Sequence, residues 1–306
     1  MDESKRALAS ASPVTIADAR SLLRKYDLWP RKSLGQNFLV SPSAPDRIVE
    51  CATLSADDTV LEVGAGLGTL TATLASRVGR VVAVETDPKL VGVLQAELGD
   101  VDRIRIVHGD ILELDPAQLL GVVPTGSDMH PALWGPRLPH YRVVANLPYY
   151  ITNAVVRHLL EASVRPIQMV VTVQLEVARR MVASPGDMSL LAVSVQFYGV
   201  PKICLRLKRG AFHPVPKVIS AVVRLDLYDE MPVAVEDVAL FFRVVKAGFS
   251  QRRKQLHNSL SAGLGLAPGA VSSAMVAADV DPQRRAETLS ISEWGDVCGA
   301  LTTLLS

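Results

Sequence analysis

From Thr59 onward, short runs of β-branched and apolar residues alternate with helix-spaced segments, and this alternation confines the chain to a doubly wound α/β sheet. Val60-Leu61-Glu62-Val63 reads as the first strand, Val81-Val82-Ala83-Val84 as the second, Ile104-Arg105-Ile106-Val107 as the third and Arg142-Val143-Val144-Ala145 as the fourth. Helices are expected through Leu70, Leu74 and Val78 and from Pro88 to Leu98. Further on, the pattern predicts a helix over 153–163, a strand over 168–173, a helix over 176–182, and strands over 191–197 and 218–225. The Pro- and Gly-rich stretch from Pro116 to Pro139 reads as an irregular surface loop. Beyond Pro232 the period changes, and Val238, Phe241, Phe242, Val245 and Phe249 fall on one helical face. The expected division is a basic arm over 1–33, helical around Ile16 to Tyr26, an α/β domain over 34–230 and a helical domain over 231–306.

The ends of the four leading strands carry the chemistry. Glu62-Val63-Gly64-Ala65-Gly66-Leu67-Gly68 follows the first strand and opens a helix, where glycines let the backbone turn tightly and approach a ligand. Its spacing is G-x-G-x-G, one residue shorter than the dinucleotide fingerprint, with an acidic residue two positions ahead. That variant suits S-adenosylmethionine, because a carboxylate such as Glu62 attracts a sulfonium and would repel a pyrophosphate. Glu85 ends the second strand 85 − 64 = 21 positions past the first glycine, where a carboxylate reaches ribose hydroxyls. Asp110 follows the third strand and can accept from an adenine amino group. At the fourth strand end, Asn146-Leu147-Pro148-Tyr149 offers a side-chain oxygen and a backbone carbonyl, two acceptors for the two N–H bonds of an exocyclic amine. Tyr149 adds a ring on which the same base can stack, worth about 1–3 kcal/mol.

Composition bounds the alternatives. With 306 residues, 49% of them hydrophobic, the chain can bury a large core. Lys plus Arg number 32 against 31 Asp plus Glu, so any nucleic-acid surface must come from local clustering of cations. The cysteines Cys51, Cys204 and Cys298 have no metal-ligand spacing and read as buried free thiols, and no metal site is expected. Apolar stretches fall far short of the ~20 residues of a membrane span, and no secretory core follows Met1, so a cytoplasmic protein without membrane association is expected.

Taken together, these residues resemble the ribosomal RNA adenine N6-dimethyltransferases, most closely the small-subunit (KsgA) type. The resemblance includes Leu34-Gly35-Gln36-Asn37-Phe38-Leu39, Phe212-His213-Pro214-Val215-Pro216-Lys217-Val218-Ile219-Ser220, and the C-terminal stretches 248–260 and 285–290. It implies a Rossmann-like S-adenosylmethionine-dependent methyltransferase domain with a smaller all-α C-terminal domain. It also implies cofactor contacts from Asn37, Leu39, Gly64, Gly66, Glu85, Asp110 and Asn146, and a Phe212 ring that helps enclose the target base. The implied substrate is a pair of adjacent adenines in the 3′-terminal hairpin loop of small-subunit rRNA, within a partly assembled 30S subunit, modified by a monomer. RNA contact is expected from Arg31 and Lys32, from Arg206, Lys208 and Arg209, and above all from Arg252, Arg253 and Lys254, which adjoin an apolar helix face without acidic neighbours. Two other readings remain at this point: a large-subunit rRNA adenine methyltransferase of the antibiotic-resistance type, and a mainly RNA-binding subunit-assembly factor.

Overall fold

The computed structural model describes residues 16–31, 34–121, 140–233, 235 and 237–305. Strands β1 (Phe38–Leu39), β2 (Thr59–Val63), β3 (Arg80–Glu85), β4 (Ile104–His108), β5 (Tyr141–Asn146), β6 (Gln168–Gln174), β7 (Gly199–Leu207), β8 (Phe212–His213) and β9 (Ser220–Leu227) alternate with helices. The helices are α1 (Ala19–Lys25), α2 (Ala44–Glu50), α3 (Thr69–Ala75), α4 (Pro88–Leu98), α5 (Pro116–Leu120), α6 (Thr152–Leu160), α7 (Leu175–Met181), α8 (Leu190–Gln196), α9 (Val238–Gly248), α10 (Leu256–Leu264), α11 (Pro268–Ala277) and α12 (Ile291–Leu305). Among the described residues the main sheet has seven strands in the order β4-β3-β2-β5-β6-β9-β7. The strands from β4 to β6 are parallel and β9 runs antiparallel to β6. Near-continuous burial of Val60–Val63, Val81–Glu85 and Val143–Ala145 explains why these segments read as unbroken apolar runs, since helices cover both faces of a parallel sheet. Asp87 caps α4 by accepting from the Lys89 N–H, and Pro88 occupies the first helical position, so the entry to this helix is fixed by local sequence.

The chain forms two compact units. One contains the described residues up to Ala178 together with Lys202–Leu227; the other contains Arg179–Pro201 and the residues from Tyr228 onward. The boundary therefore departs from the expected one, because 179–201 groups with the helical unit. Within that unit Phe197 packs edge-on against Tyr198 at 5.0 Å and tilted against Phe241 at 4.6 Å, a cluster of aromatic contacts that draws α8 to α9.

Two expectations are corrected. The stretch expected as a strand over 191–197 is instead the helix Leu190–Gln196 with Phe197 at its C-cap: Ser189 accepts from the Ala192 N–H as an N-cap, and the apolar run that follows is helical. The strand lies just beyond, in β7, whose alternating exposure follows Lys202-Ile203-Cys204-Leu205-Arg206-Leu207. The start of the expected 116–139 loop is instead a short helix, α5, capped by Asp115, while 122–139 lie outside the described residues. The described part of the arm folds onto the sheet unit: Ala19, Leu22 and Leu23 of α1 pack with Phe38, Leu67, Leu90 and Val93, and Lys25 and Tyr26 both bond Glu97, at 2.5 and 2.6 Å.

Candidate active site

The order of the sheet reverses between β2 and β5, and a crevice forms outside the carboxyl ends of the strands flanking that point. It encloses about 730 Å³, open solvent included, and its walls come from the strap Leu34–Phe38 and from the segments that follow β2, β3, β4 and β5. Of the predicted residues, Asn37, Gly64, Gly66, Glu85, Asp110, Asn146, Leu147, Pro148 and Tyr149 all line it. Gly64 and Gly66 have φ of 72° and 61°, the left-handed region that side chains disfavour, and a Cβ on Gly66 would stand 3.5 Å from the Phe38 ring. Apart from tyrosines, the ionisable side chains among the described lining residues are the carboxyls of Glu85 and Asp110; no lysine or arginine is present. Such a lining favours a ligand that carries a positive charge and hydroxyl or amino donors over a phosphate.

Glu85 is 5% exposed, and three backbone donors hold its carboxylate: Gly66 N–H at 2.8 Å on Oε2, and Thr86 and Asp87 N–H, each at 2.9 Å, on Oε1. Burial raises its pKa above the ordinary carboxylate value, and these three bonds pull it back in part. A carboxylate has about four lone-pair positions. One acceptor site therefore remains for a ligand. Asp110 is exposed, with Oδ1 accepting from the Leu112 N–H at 3.0 Å.

Asn146 ends β5 and donates through Nδ2 to the Asn37 carbonyl at 3.1 Å. That carbonyl can only accept, so it fixes the amide and turns Oδ1 away as an acceptor. Tyr149 shares its hydroxyl with Ser220 Oγ at 2.7 Å; burial raises its pKa, partly offset by Ser220, so the phenol stays neutral near pH 7. Ser220 belongs to the late motif, and its service as the anchor of Tyr149 depends on β9 reaching Tyr149 across the fold. Tyr150, Gln36 and Phe38 also line the walls, although no cofactor or catalytic role was expected of them. Tyr150 is 62% exposed and its ring lies over Gly35, where a Cβ would come within 2.8 Å of it. An aromatic residue directly after Tyr149 was the available signal.

Several predicted residues lie elsewhere. Glu62 is 1% exposed and absent from the lining; burial, with a smaller contribution from Glu85, pushes its pKa up to about 8, so it is mainly protonated at neutral pH. Neither its Oε2 nor Thr71 Oγ1 makes a hydrogen bond of good geometry, although the hydroxyl is near enough to offset part of the burial cost. The expected anion beneath a sulfonium is therefore a buried acid. Leu39 and Phe212 face each other in the β1–β8 pair at 6% and 1% exposure, inside a core cluster and off the crevice lining. The Arg31 guanidinium lies 3.5 Å from Asp87, and the Arg31 backbone N–H donates to Gln36 Oε1 at 2.8 Å, so the residue braces the strap. Lys32 lies outside the described residues. Arg206, Lys208, Arg209, Arg252, Arg253 and Lys254 are all exposed.

The family model for ribosomal RNA adenine dimethylases matches residues 29–302. The chain is 42% identical over 299 residues to a ribosomal RNA small subunit methyltransferase A of Dehalococcoides mccartyi, covering 97% of each, and 43% identical over 284 residues to that of Moorella thermoacetica, covering 92% of this chain and 96% of the relative. Among solved structures it resembles the 23S rRNA methyltransferase ErmE, with TM-score 0.65 and 28% identity over 87% of this chain and 99% of that one. A dimethyladenosine transferase from Plasmodium falciparum, at 20% identity and TM-score 0.67 over 86% of this chain and 96% of that one, shares the fold. A crevice suited to a cationic nucleoside, with Asn146 in its lining, and a family match over nearly the whole chain lead to one conclusion: this chain belongs to the ribosomal RNA adenine dimethylase family, whose members are S-adenosylmethionine-dependent methyltransferases.

Proposed function

We propose that the chain dimethylates N6 of two adjacent adenines in the 3′-terminal hairpin loop of small-subunit (16S) rRNA, acting as a monomer on a partly assembled 30S subunit. The observation that carries this reading is the end-to-end similarity to small-subunit methyltransferases at 42%, against 28% to a 23S enzyme, joined to an acidic crevice with Asn146 at its edge. Loop bases are unpaired and poorly stacked, so extruding one costs at most a few kcal/mol.

S-adenosylmethionine supplies an electrophilic methyl on a sulfonium, so transfer needs no covalent enzyme intermediate. When it is bound, Glu85 would accept from its ribose and Asp110 from its adenine amino group. Asn146 Oδ1 and the Leu147 carbonyl accept the two hydrogens of the target amine, which favours a pyramidal, more nucleophilic nitrogen. The ring of Tyr149, held through Ser220, keeps the base in line. A neutral phenol cannot serve as a base, so the residues contribute orientation rather than proton transfer. Arg252, Arg253 and Lys254 contribute RNA affinity from the helical unit.

The test is incubation of the protein and labelled S-adenosylmethionine with undermethylated small subunits and, in parallel, with 23S rRNA, followed by mass-spectrometric mapping. Two adjacent dimethyladenosines near the 3′ end of 16S rRNA are expected. Label in 23S rRNA alone, or tight subunit binding without methyl transfer, would overturn the proposal in favour of the resistance-type enzyme or the assembly factor respectively.

A further inference from the structure

Outside the crevice, two of the three cysteines meet. Cys51 closes the C-terminus of α2 and Cys204 lies in the middle of β7, 204 − 51 = 153 positions later. Both line one surface groove with Arg47, Lys202 and Arg224, and that groove shares no residue with the crevice. The sequence suggested three buried thiols, but only Cys298 is buried; Cys51 is half-buried and Cys204 exposed. The Cys51 thiol donates to the Arg47 carbonyl at 3.3 Å and the Cys204 thiol to the Lys202 carbonyl at 3.8 Å, and Cys204 is near enough to help raise the Cys51 pKa. Strand alternation accounts for the meeting. Ile203 and Leu205 turn toward the core while Cys204 turns outward on the last strand of the sheet, where the Arg224 guanidinium also reaches the Cys51 carbonyl, at 3.4 Å.

We propose that Cys51 and Cys204 form a dithiol that closes reversibly to a disulfide. The oxidant is a low-molecular-weight disulfide. Cys204, the exposed partner, attacks one sulfur as its thiolate, forming a mixed disulfide and releasing one small thiolate. Cys51 then gives up its proton to solvent and attacks the Cys204 sulfur, displacing the second small thiolate. Two protein thiols lose two protons and two electrons, and the oxidant is reduced to two thiols. The order follows from environment: burial, reinforced by the neighbouring Cys204 and Glu50, pushes the Cys51 thiol up to about 11, which makes it a poor entry nucleophile but leaves it adjacent to a leaving group once Cys204 is charged. In a reducing compartment the pair stays open and closes transiently under oxidation. A metal site is a weaker reading, since among the described residues no group of three or more ligating side chains assembles.

The bond would act on the active-site strap. Val40 and Ser41, just past that strap, already donate to the Ala211 carbonyl, and β1 pairs with β8. Closure links the same two chain segments covalently, one helix further along, and ties α2 to the sheet edge.

The test uses the full-length protein treated with oxidised glutathione under native conditions, quenched with acid, denatured and alkylated. Alkylatable thiols are expected to fall from three to one per chain, leaving Cys298, with intact mass lower by two hydrogens and full recovery after dithiothreitol. Peptide mapping should recover the 51–204 crosslink, and Cys51→Ser should stop at a glutathione adduct on Cys204. A wild-type protein that carries glutathione on Cys204 while Cys51 remains alkylatable, or that keeps all three thiols, overturns the proposal. The readout is independent of methyl transfer, so it stands or falls separately from the assignment of the substrate.

Discussion

Replacing Glu85 separates cofactor binding from RNA binding, and the structure sets the size of the effect. Its carboxylate accepts three backbone bonds at 2.8–2.9 Å and keeps about one position for the ribose. A single hydrogen bond to a charged group contributes about 1.5–3 kcal/mol, so Glu85→Ala should weaken cofactor binding by about 10- to 150-fold. The same change strands three N–H groups, each worth about 0.5–1.5 kcal/mol, but relieves a buried carboxylate whose pKa is already raised; the net loss of stability should be about 1–3 kcal/mol. Glu85→Gln supplies the control, since its amide oxygen can still accept from Thr86 and Asp87 while its nitrogen cannot accept from Gly66. Calorimetric titration with S-adenosylhomocysteine gives the cofactor affinity, urea unfolding gives the stability, and filter binding to a 3′-terminal 16S rRNA fragment gives the RNA affinity. RNA affinity should change less than about threefold. A folded Glu85→Ala protein that binds the cofactor as tightly as wild type, or one whose RNA affinity falls in step with it, refutes the assignment of Glu85.

Three other outcomes are expected. Glu62 has a pKa near 8 in the folded chain against 4.5 when unfolded; the folded state therefore holds the extra proton, and its contribution is complete below pH 4.5 and lost as pH rises through 8. Glu62→Gln should flatten the stability profile in that window and stabilise the protein at pH 8 by at most about 4–5 kcal/mol, and urea midpoints showing the same slope as wild type would count against a buried acid. Phe212, at 1% exposure, should behave as core: Phe212→Ala should cost about 3–5 kcal/mol of stability, while Phe212→Leu should keep kcat within a few fold, and a large kcat loss in a stable Phe212→Leu protein would restore it to the base pocket. Neutralising Arg252, Arg253 and Lys254 together should raise KM for rRNA and lower the slope of log affinity against log salt by about 2–3, with cofactor affinity unchanged; an unaltered salt slope would remove them from the RNA surface.

The alternating apolar runs placed β2 to β6 and helices α3, α4 and α6, though not α5, because a parallel sheet buried on both faces needs strands that are apolar throughout. Glycine spacing and strand-end carboxylates located most of the crevice for a similar reason: positive φ at Gly64 and Gly66 is a local demand that only glycine meets without strain. The apolar stretch 191–197 reads as a strand by its pattern, but the Ser189 cap and the aromatic packing of Phe197 on Phe241 make it helical.

By itself, then, the sequence determined the doubly wound sheet, the order of the strand ends that line the crevice and the place of Asn146-Leu147-Pro148-Tyr149 among them. Only the tertiary structure decided which of these side chains reach the crevice. It withdrew Glu62, Leu39 and Phe212 into the interior, engaged Arg31 with Asp87, anchored Tyr149 on Ser220 and brought Cys51 against Cys204. The division has one physical cause. Backbone conformation and strand period are set by neighbours in the chain, whereas exposure, pairing and proton affinity depend on groups that lie, like Tyr149 and Ser220, 71 residues apart until the fold joins them.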